Sequence, residues 1–563
     1  MEKKPNLYLS EYPRPQLVRD SYICLNGEWD YAIRKEEDFP NEFDGQILVP
    51  FSPETPASGV NKIVHPDEWL FYKKSVTLPV NFVLDKVFLH FGAVDQIAEV
   101  FIDDKLVIKH VGGYLPFKVD IKPFIENRNF TIKVRVKDYS DTSFYSRGKQ
   151  TLDPHGIWYH SQSGIYMPVW LESVSEGYIE DVKFTPDIDN DILKINVKSS
   201  KSSVHIELMD IKKDIPTNKD VEIKLSNYEC WDVDNPKLYD IKLSTSKDVV
   251  KSYFAMRKFS LIEHNGHKVI ALNNKPLFIK GVLDQGYWTK GFLTPTCDND
   301  YIKDIELTKS LGFNMMRKHI KIESLRYYYH CDRLGMIVWQ DFINGGGKYR
   351  FPTIAFPLIT GHHKKDNNYK KFGRESLEGR NYSLEEFKGI VDYLYNVSSI
   401  GLWTIFNEGW GQFDAVKVYD EMKKLDSSRL FDHASGWHDQ GVSDVKSLHV
   451  YFKRVKAPSK KKIKDRALIL SEAGGYSLPI EGHLYLDKSF GYKKLRSSKE
   501  LLDEYRTFVD KDILRNIPKG LCAFVYTELS DVETETNGFI TYDREVEKVE
   551  PKLIKEINDK VTF

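Results

Sequence analysis

The sequence predicts three consecutive domains: a jelly-roll β-sandwich over residues 1–172, an immunoglobulin-like β-sandwich over residues 173–260 and a (β/α)8 barrel (TIM barrel) over residues 261–563. Three observations predict this order. The chain has 563 residues, which is too many for one hydrophobic core. Apolar and polar residues alternate with period two as far as about residue 259, as in strands with one solvated face. From Ser260 onward, apolar strands alternate with helical patterns, which favours a parallel sheet.

The first sandwich is predicted from short alternating segments that are separated by turn residues. Residues 87–91, 99–103 and 130–136 alternate as strands of a half-buried sheet do. Asp103 and Asp104 stand between two apolar pairs and predict the tip of a β-hairpin. Many short strands of this kind favour a jelly roll.

The second sandwich is predicted from a further run of alternating segments, of which residues 193–198 and 204–208 are the clearest. Its length of roughly 85 residues fits an immunoglobulin-like domain. The segment has no cysteine pair that could connect its two sheets, which is normal for a domain inside a cell.

Eight strand–helix units are predicted in the remaining part of the chain, which is the repeat number of a (β/α)8 barrel. The predicted strands are residues 276–283, 313–319, 336–341, 401–408, 429–434, 445–450, 467–471 and 520–527. The predicted helices are residues 298–311, 323–334, 415–425 and 499–514, a helix that opens at Ser383 through a capping box with Glu386, and a closing helix near Pro551. Residues 344–381 are predicted to form a long loop.

Composition excludes several classes of function. The chain carries 81 Lys and Arg against 82 Asp and Glu, so no basic surplus indicates a nucleic-acid or membrane partner. No apolar run reaches the roughly 20 residues that a membrane-spanning helix needs. The five cysteines are scattered without metal-ligand spacing, which predicts thiols in a reducing compartment. Residues 1–6 lack the apolar core of a signal peptide, so the expected location is the cytoplasm.

Two glutamates at the ends of apolar strands carry the predicted chemistry. Glu408 ends the fourth barrel strand and Glu472 ends the seventh. Barrel enzymes keep their catalytic groups at the carboxyl ends of the strands, and strands four and seven face each other across the mouth. Retaining glycosidases use two carboxyl groups about 5–5.5 Å apart. We therefore predict a catalytic pair, with Asn407 as a hydrogen-bond donor to a sugar hydroxyl. The alternative is that each glutamate only caps a strand or pairs with an arginine.

Other polar and aromatic residues end the remaining strands. Arg317 and His319 end strand two, where a fixed cation would keep a carboxylate nucleophile ionised. His449 and Tyr451 end strand six, where the phenol is placed to donate a hydrogen bond to a carboxylate. The alternative for each is packing or a structural salt bridge. Three further candidates for substrate binding lie at this rim, the tryptophans as platforms for a sugar ring: Asp341, Trp410 and Trp437.

Several segments taken together resemble glycoside hydrolase family 2, the family of β-galactosidases, β-glucuronidases and β-mannosidases. Residues 406–408 match its acid/base motif, and Ser471-Glu472 with Gly474-Gly475 resembles its nucleophile motif. The resemblance covers essentially the whole chain. It implies a retaining exo-β-glycosidase that removes a terminal non-reducing sugar by double displacement, with Glu408 as general acid/base and Glu472 as nucleophile. Segments of the first two domains that also carry it are residues 13–16, 25–29, 91–95, 112–117, 163–172 and 231–239.

The sugar specificity is open, because parts of the chain depart from the family pattern. Many members read Lys-Gly-Val-Asn-Arg-His where residues 280–285 read Lys-Gly-Val-Leu-Asp-Gln, so Asp284 or Gln285 would replace those sugar contacts. Residues 338–342 resemble the mannosidase branch, residues 407–410 do so less, and the Asn-x-Lys pair of glucuronidases is not recognisable. We expect β-galactosidase-like specificity, with β-glucuronidase or β-mannosidase specificity as the alternatives.

Two other functions are compatible with the sequence. A transglycosidase would use the same residues with a sugar as acceptor, and a catalytically inactive carbohydrate-binding protein would need no intact glutamate pair. The expected partner is a small carbohydrate or glycoside, and assembly into a homo-oligomer stays open. No cofactor is expected. Some members of the family bind Mg or Na, but the ligands of such an ion cannot be placed on this chain.

Overall fold

The computed structural model describes residues 8–361 and 363–563, and residues 1–6, on which the expectation about a signal peptide rests, lie outside that part of the chain. The first domain is an antiparallel sandwich of a six-stranded and a four-stranded sheet, which confirms the predicted jelly roll. In sheet order, the larger sheet consists of Gly45–Val49, Gly27–Arg34, Trp69–Thr77, Asn129–Lys137, Ile97–Ile102 and Lys105–Val111, and the smaller one of Tyr22–Cys24, Val169–Val174, Lys86–Phe91 and Phe117–Asp120.

The predicted hairpin tip in this sandwich is confirmed. Asp103 and Asp104 connect two antiparallel strands and have φ angles of 44° and 70°. Two-residue hairpin turns with positive φ at both positions match the right-handed twist of the strands, and aspartate tolerates that conformation better than most residues. In the neighbouring strand Phe130, Ile132 and Val134 are buried at alternate positions, as the period-two pattern predicts.

The second domain is a seven-stranded antiparallel sandwich, which confirms the predicted immunoglobulin-like fold. Its core is formed by alternate residues such as Leu193, Ile195 and Val197, all fully buried. One sheet consists of Ile179–Asp187, Ile192–Ser199 and Asp220–Lys224, and the other of Ile211–Pro216, Ser203–Leu208, Tyr239–Ser244 and Val249–Phe254.

The third domain is a parallel eight-stranded barrel. Its strands, numbered 1 to 8 in chain order, are Ile279–Asp284, Met315–Lys318, Ile337–Asp341, Ile400–Thr404, Leu430–Asp432, Val445–Val450, Ala467–Gly474 and Leu521–Thr527. The ladder runs 5-4-3-2-1-8-7-6, so strands 5 and 6 are the two edges that meet as the barrel closes. The strands are almost wholly buried because helices cover them outside and side chains fill the barrel, which explains their continuous apolar pattern.

Helices surround this barrel. The longer ones are Asp298–Ser310, Leu325–Leu334, Leu377–Tyr393, Ala415–Leu425, Ser498–Phe508, which continues as a π-helical turn over Val509–Ile513, and Pro551–Asn558. No helix in the described ranges is both long enough and apolar enough to cross a membrane. The end of the barrel away from the strand carboxyl termini is closed by a small sheet of Phe259–His264, His267–Leu272 and Lys275–Pro276, whose apolar side chains pack against the strands.

The predicted capping box at Ser383 is wrong. The helix begins two turns earlier, at Leu377, where the Ser376 side chain accepts a hydrogen bond from the backbone of Gly379. Ser383 lies inside the helix and accepts a hydrogen bond from Arg374, while the Glu386 carboxylate is bound by Tyr382 and Ser146. The preceding segment also contains two short helices, Phe351–Ile354 and Phe356–Thr360, where a continuous loop was expected.

Candidate active site

The acid/base candidate sits on a sharply turned backbone after strand 4. Glu408 has a φ of 50°, a conformation that non-glycine residues rarely adopt. Two hydrogen bonds hold it there. The backbone amide of Glu408 donates to the Ser435 carbonyl at 3.0 Å, and the Trp437 indole donates to the Glu408 carbonyl at 2.7 Å. Strained backbone that is held in this way is typical of functional sites. The turn directs the carboxyl group into the barrel mouth.

The second carboxyl group reaches the same place from within strand 7. One carboxyl oxygen of Glu408, one of Glu472 and Nδ1 of His449 all lie within 4.8 Å of one another. This spacing fits the separation of about 5–5.5 Å at which one carboxylate attacks the sugar directly, and not the roughly 6.5–9.5 Å that leaves room for a water nucleophile. The structure thus brings together the two glutamates that the sequence singled out.

The surroundings of Glu472 favour its ionised form. The Arg317 guanidinium donates to one carboxylate oxygen at 3.0 Å, and the Tyr451 hydroxyl donates to the other. Burial by itself would raise the pKa of Glu472, but His449, Arg317 and the Tyr451 hydrogen bond outweigh burial, so that the pKa lies below its usual value. An ionised carboxylate is the form that a nucleophile requires.

The surroundings of Glu408 favour its protonated form. Burial, with the negative charge of Glu472 as a further contribution, raises the pKa of Glu408 above its usual value, although a hydrogen bond with His449 opposes this. Two neighbouring hydroxyl groups indicate which ring nitrogen of His449 donates a hydrogen bond. Ser471 Oγ donates to the Leu448 carbonyl, and Ser435 Oγ donates to Ser471 Oγ at 2.9 Å.

Because the Ser435 proton is used in this way, its oxygen accepts a hydrogen bond from Nε2 of His449 at 3.0 Å. Nδ1 of the same ring lies 2.8 Å from the Glu408 carboxyl group, within hydrogen-bond distance. The opposite pKa shifts of the two glutamates fit one general acid and one nucleophile.

Asn407 has a free donor beside this pair. Its side-chain oxygen accepts a hydrogen bond of 2.8 Å from Arg317, which fixes the orientation of the amide. The side-chain nitrogen is buried and has no partner within the described part of the chain. A buried amide without a partner is costly, so this nitrogen is available to a sugar hydroxyl, and the predicted contact itself stays a prediction.

Asp341 lies in the site, and its contact with substrate stays a prediction. Its carboxylate accepts hydrogen bonds from Nε of Arg317 at 3.0 Å and from Nδ1 of His319 at 2.7 Å. It orients Arg317, and through Arg317 the Glu472 carboxylate. Burial lowers the pKa of His319 to about 4, so His319 is neutral and adds no charge.

Asp284 is held in an ion pair, and the sugar contact expected of it stays a prediction. Its carboxylate accepts hydrogen bonds from Nζ of Lys318 at 2.6 Å and from the backbone amide of Gly286 at 2.8 Å, and it is buried in that ion pair. The other candidate for this role, Gln285, donates at 2.9 Å to a carboxyl oxygen of Glu528, which directly follows strand 8.

The two predicted sugar platforms are mostly covered by protein. Trp410 packs against Trp158 with 5.0 Å between ring centroids and also contacts His319. Trp437 packs edge-on against His449 and, as described, holds the Glu408 backbone. Both rings are at least 95% buried. Trp437 supports Glu408 and His449, Trp410 packs beside His319, and stacking on a sugar stays a prediction for both.

Sequence reasoning missed the part of the site that the first sandwich contributes. A segment over residues 144–162 reaches the barrel rim: Ser146 forms an isolated bridge with Gly345, and the Tyr159 hydroxyl donates at 2.5 Å to the Glu535 carboxylate. The ammonium group of Lys149 lies 5.9 Å from the Trp410 ring centroid. The segment has neither a regular pattern nor a motif, so only the tertiary structure places it there.

The opposite protonation of the two glutamates predicts a bell-shaped dependence of kcat/KM on pH. The acidic limb reports deprotonation of Glu472 and lies below the usual carboxyl range, because that pKa is lowered. The alkaline limb reports loss of the proton from Glu408 and lies above that range, because that pKa is raised. Initial rates at low substrate over about pH 2–9 test this, since kcat/KM follows the free enzyme. A single limb that rises throughout this range would contradict the assignment of Glu408 as an acid.

The fold and the carboxyl pair define a class of protein: barrel enzymes that cleave glycosidic bonds with two acidic residues. Comparison with known families agrees. The model "Glycosyl hydrolases family 2, TIM barrel domain" matches residues 264–562, and "Glycosyl hydrolases family 2, sugar binding domain" matches residues 23–174. The chain therefore belongs to glycoside hydrolase family 2, which confirms the resemblance seen in the sequence.

Relatives with different activities match the chain. A β-glucuronidase of Streptococcus agalactiae is 25% identical over 535 residues, which cover 83% of this chain and 84% of the relative. A β-galactosidase of Thermoanaerobacter pseudethanolicus is also 25% identical, but the match covers 64% of this chain, and the chain spans only 47% of that longer protein. Among solved structures, a β-D-glucuronidase of Dictyoglomus thermophilum superimposes with a TM-score of 0.76 at 19% identity, covering 98% of this chain and 99% of the other. That likeness establishes the fold.

Proposed function

We propose that the chain is a retaining exo-β-glycosidase that removes a terminal sugar from an oligosaccharide or glycoside. The observation that carries this proposal is the close approach of Glu408 and Glu472, within 4.8 Å, with opposite shifts of their pKa values. A carbohydrate-binding protein without activity would have no use for such a pair. Membership of family 2 supports the same reaction.

The reaction follows from this geometry in two steps. In the first, a Glu472 carboxylate oxygen attacks the anomeric carbon while Glu408 transfers its proton to the leaving oxygen, giving a covalent glycosyl-enzyme ester and a free alcohol. In the second, Glu408, now a carboxylate, takes a proton from water as the water oxygen attacks the same carbon. The ester bond breaks, Glu472 is released as a carboxylate and the configuration is retained. Arg317 and Tyr451 stabilise that carboxylate at the start and at the end.

The closed shape of the site supports action on chain ends. Only 7% of Glu408 and 4% of Glu472 is exposed, and the segment over residues 144–162 covers the rim. An open cleft would be needed for a long chain to pass across the pair, whereas a pocket accepts one terminal residue. Conversion of an oligosaccharide from its non-reducing end, one sugar at a time, is the expected product pattern.

The nature of the sugar is a further proposal. The galactoside specificity expected from the sequence is supported by the β-galactosidase relative, and the glucuronide alternative by the β-glucuronidase relatives. The partner is a small carbohydrate or glycoside, the expected location is the cytoplasm, which five free cysteines support, and the reaction needs no cofactor, because carboxyl groups supply both the proton and the nucleophile.

The test is a rate measurement on a panel of 4-nitrophenyl β-glycosides (galactoside, glucuronide, mannoside, glucoside and N-acetylglucosaminide), followed by NMR of the first product anomer. We expect turnover of at least one member and initial release of the β-anomer. Release of the α-anomer would overturn the retaining mechanism. Transfer of the sugar to added acceptor, in preference to water, would show a transglycosidase with the same residues.

A further inference from the structure

Two tyrosine rings are stacked beside the nucleophile. The ring of Tyr451, whose hydroxyl donates to Glu472, lies against the ring of Tyr492 with 3.9 Å between their centroids and 13° between their planes. Phe490 and Phe452 pack against Tyr492 edge-on, each with 5.6 Å between ring centroids. Aromatic rings in such contact attract each other beyond the area that they bury. The stack therefore restrains the orientation of the Tyr451 ring.

The barrel backbone alone does not fix the Tyr451 ring. Strand 6 and its ladder with strand 7 both end at Val450, so the backbone of Tyr451 lies beyond the paired strands. The next residue, Phe452, is exposed. Besides Glu472, the Tyr451 hydroxyl has Thr527 Oγ1 at 3.5 Å, which is a long hydrogen bond. The contact with the face of Tyr492 is therefore the main support of the ring.

The two glycines that follow the nucleophile strand residue Glu472 make room for this stack. A β-carbon at Gly475 would overlap the Tyr492 ring, and one at Gly474 would overlap the ring of Tyr526. Both glycines have positive φ angles, 93° for Gly474 and 69° for Gly475, which other residues rarely adopt. The Gly475 carbonyl also accepts a hydrogen bond of 3.0 Å from the Tyr492 amide. The glycine pair thus connects the strand of the nucleophile with the stacked tyrosine.

The surrounding charges keep both phenols protonated. Burial raises the pKa of Tyr451 well above its usual value, and the charge of Glu472 raises it further. Burial likewise raises the pKa of Tyr492, with Glu408, Glu535 and Glu472 as further contributions. At neutral pH the Tyr451 hydroxyl therefore carries the proton that it donates to the Glu472 carboxylate.

We propose that Tyr492 is a positioning residue that acts through Tyr451, because the stack holds the phenol where its hydroxyl donates to Glu472. That hydrogen bond favours the ionised form of Glu472 before the attack on the sugar. It also stabilises the carboxylate that leaves the sugar in the second step. The inference rests on the proposed function and adds to it a residue that does not touch the reacting atoms.

The first test is a double-mutant cycle on the best substrate of the glycoside panel. Tyr451→Phe removes the hydroxyl and keeps the ring, and should lower kcat/KM by about 10- to 100-fold, the value of a hydrogen bond to a charged group. Tyr492→Leu removes the stack, and should lower kcat/KM by about 2- to 10-fold, the value of an aromatic pair. Because both changes act on one hydrogen bond, the double variant should lose no more than Tyr451→Phe alone. Losses that multiply would overturn the inference.

The pH profile separates positioning from a structural role. A weaker hydrogen bond from Tyr451 raises the pKa of Glu472, so the acidic limb of kcat/KM in Tyr492→Leu should move to higher pH, by up to about one unit. Tyr492→Phe keeps the ring and should keep the wild-type profile. An equal loss in Tyr492→Phe and Tyr492→Leu would show that the hydroxyl of Tyr492 matters and not its stack, which contradicts the inference.

The matched control is Tyr239→Leu, which removes a stacked tyrosine from the second sandwich. Tyr239 lies on Phe254 there, with 5.6 Å between ring centroids and 26° between planes. The control should lower the Tm and leave the acidic limb in place. A lower Tm in Tyr492→Leu with an unmoved limb would assign Tyr492 a structural role and overturn the inference.

A titration that needs no turnover distinguishes this inference from the proposed function. In protein labelled with ¹³C at the glutamate carboxyl carbons, the NMR signal of Glu472 is the one that is absent from Glu472→Gln. It should titrate at higher pH in Tyr492→Leu than in wild type, and also in Gly475→Ala, whose new methyl group displaces the Tyr492 ring. An equal Glu472 pKa in the three proteins would overturn the role of Tyr492. Absence of turnover for every glycoside would instead contradict the glycosidase proposal.

Discussion

Replacing Glu472 with glutamine is expected to abolish turnover, lowering kcat/KM by on the order of 10⁵- to 10⁶-fold, as loss of a covalent nucleophile does in other hydrolases. The amide has nearly the same shape and can still accept a hydrogen bond from Arg317, so the fold should persist. What is lost is the negative charge that makes the carboxylate oxygen a nucleophile toward the anomeric carbon. The measurement is the initial rate on the best substrate of the glycoside panel, together with the Tm.

The matched control for this variant is Glu481→Gln, which makes the same chemical change at an exposed residue nine positions further along the chain. It should keep the wild-type rate. If Glu472→Gln retained a rate within about tenfold of wild type, where removal of a nucleophile costs orders of magnitude more, Glu472 would not be the nucleophile. The assignment of the reaction as a double displacement would then be wrong.

Replacing Glu408 with glutamine is expected to lower the turnover rate by an amount that depends on the leaving group. Without a proton donor, departure of an alkoxide slows by about 10²- to 10⁴-fold, whereas a 2,4-dinitrophenolate needs no proton and departs readily. For such an activated substrate, hydrolysis of the glycosyl-enzyme then becomes the slow step, because no base remains to activate water. Sodium azide, an anion that requires no base, should restore turnover and yield the β-glycosyl azide. The alkaline limb of the pH profile should also disappear.

The matched control is Glu385→Gln, on the exposed side of the helix Leu377–Tyr393, which should behave as wild type in all three measurements. An equal loss for activated and unactivated substrates, with no effect of azide, would show that Glu408 only maintains the shape of the site. His449 would then remain as the group to examine, because its Nδ1 is 2.8 Å from Glu408 and 3.6 Å from Glu472.

The fold was predictable from the sequence because local patterns carry most of it. The helix Ala415–Leu425 and the strand Val445–Val450 agree with their predicted ends, since an apolar stripe and a mostly buried strand each have a clear start and stop. The helix Leu377–Tyr393 was placed too late, because a Ser-Leu-Glu-Glu sequence in mid-helix has the same pattern as a capping box. Only the tertiary contacts of Ser383 and Glu386 distinguish the two situations.

The site was predictable where chemistry coincides with a strand end. Glu408, Glu472, Arg317 and Tyr451 all end or follow apolar strands, and the barrel geometry brings them together. Lys149 follows no such strand, and its position depends on how the first sandwich docks on the barrel, which no local pattern encodes. The ion pair between Asp284 and Lys318 was not predictable, because a strand end does not determine which neighbour a carboxylate binds.

The most direct test of the central claim is to trap the covalent intermediate. Incubation with 2-deoxy-2-fluoro-β-glycosyl fluorides of galactose and glucuronic acid, followed by intact-mass measurement and peptide mapping, shows which residue becomes attached to the sugar. Fluorine at C2 destabilises the oxocarbenium-like transition states, and fluoride leaves without a proton, so the intermediate accumulates. We expect one sugar per chain, attached to Glu472 and absent from the Glu472→Gln protein. A label on another residue, or active enzyme that acquires no label while releasing an inverted product, would contradict the double displacement at Glu472.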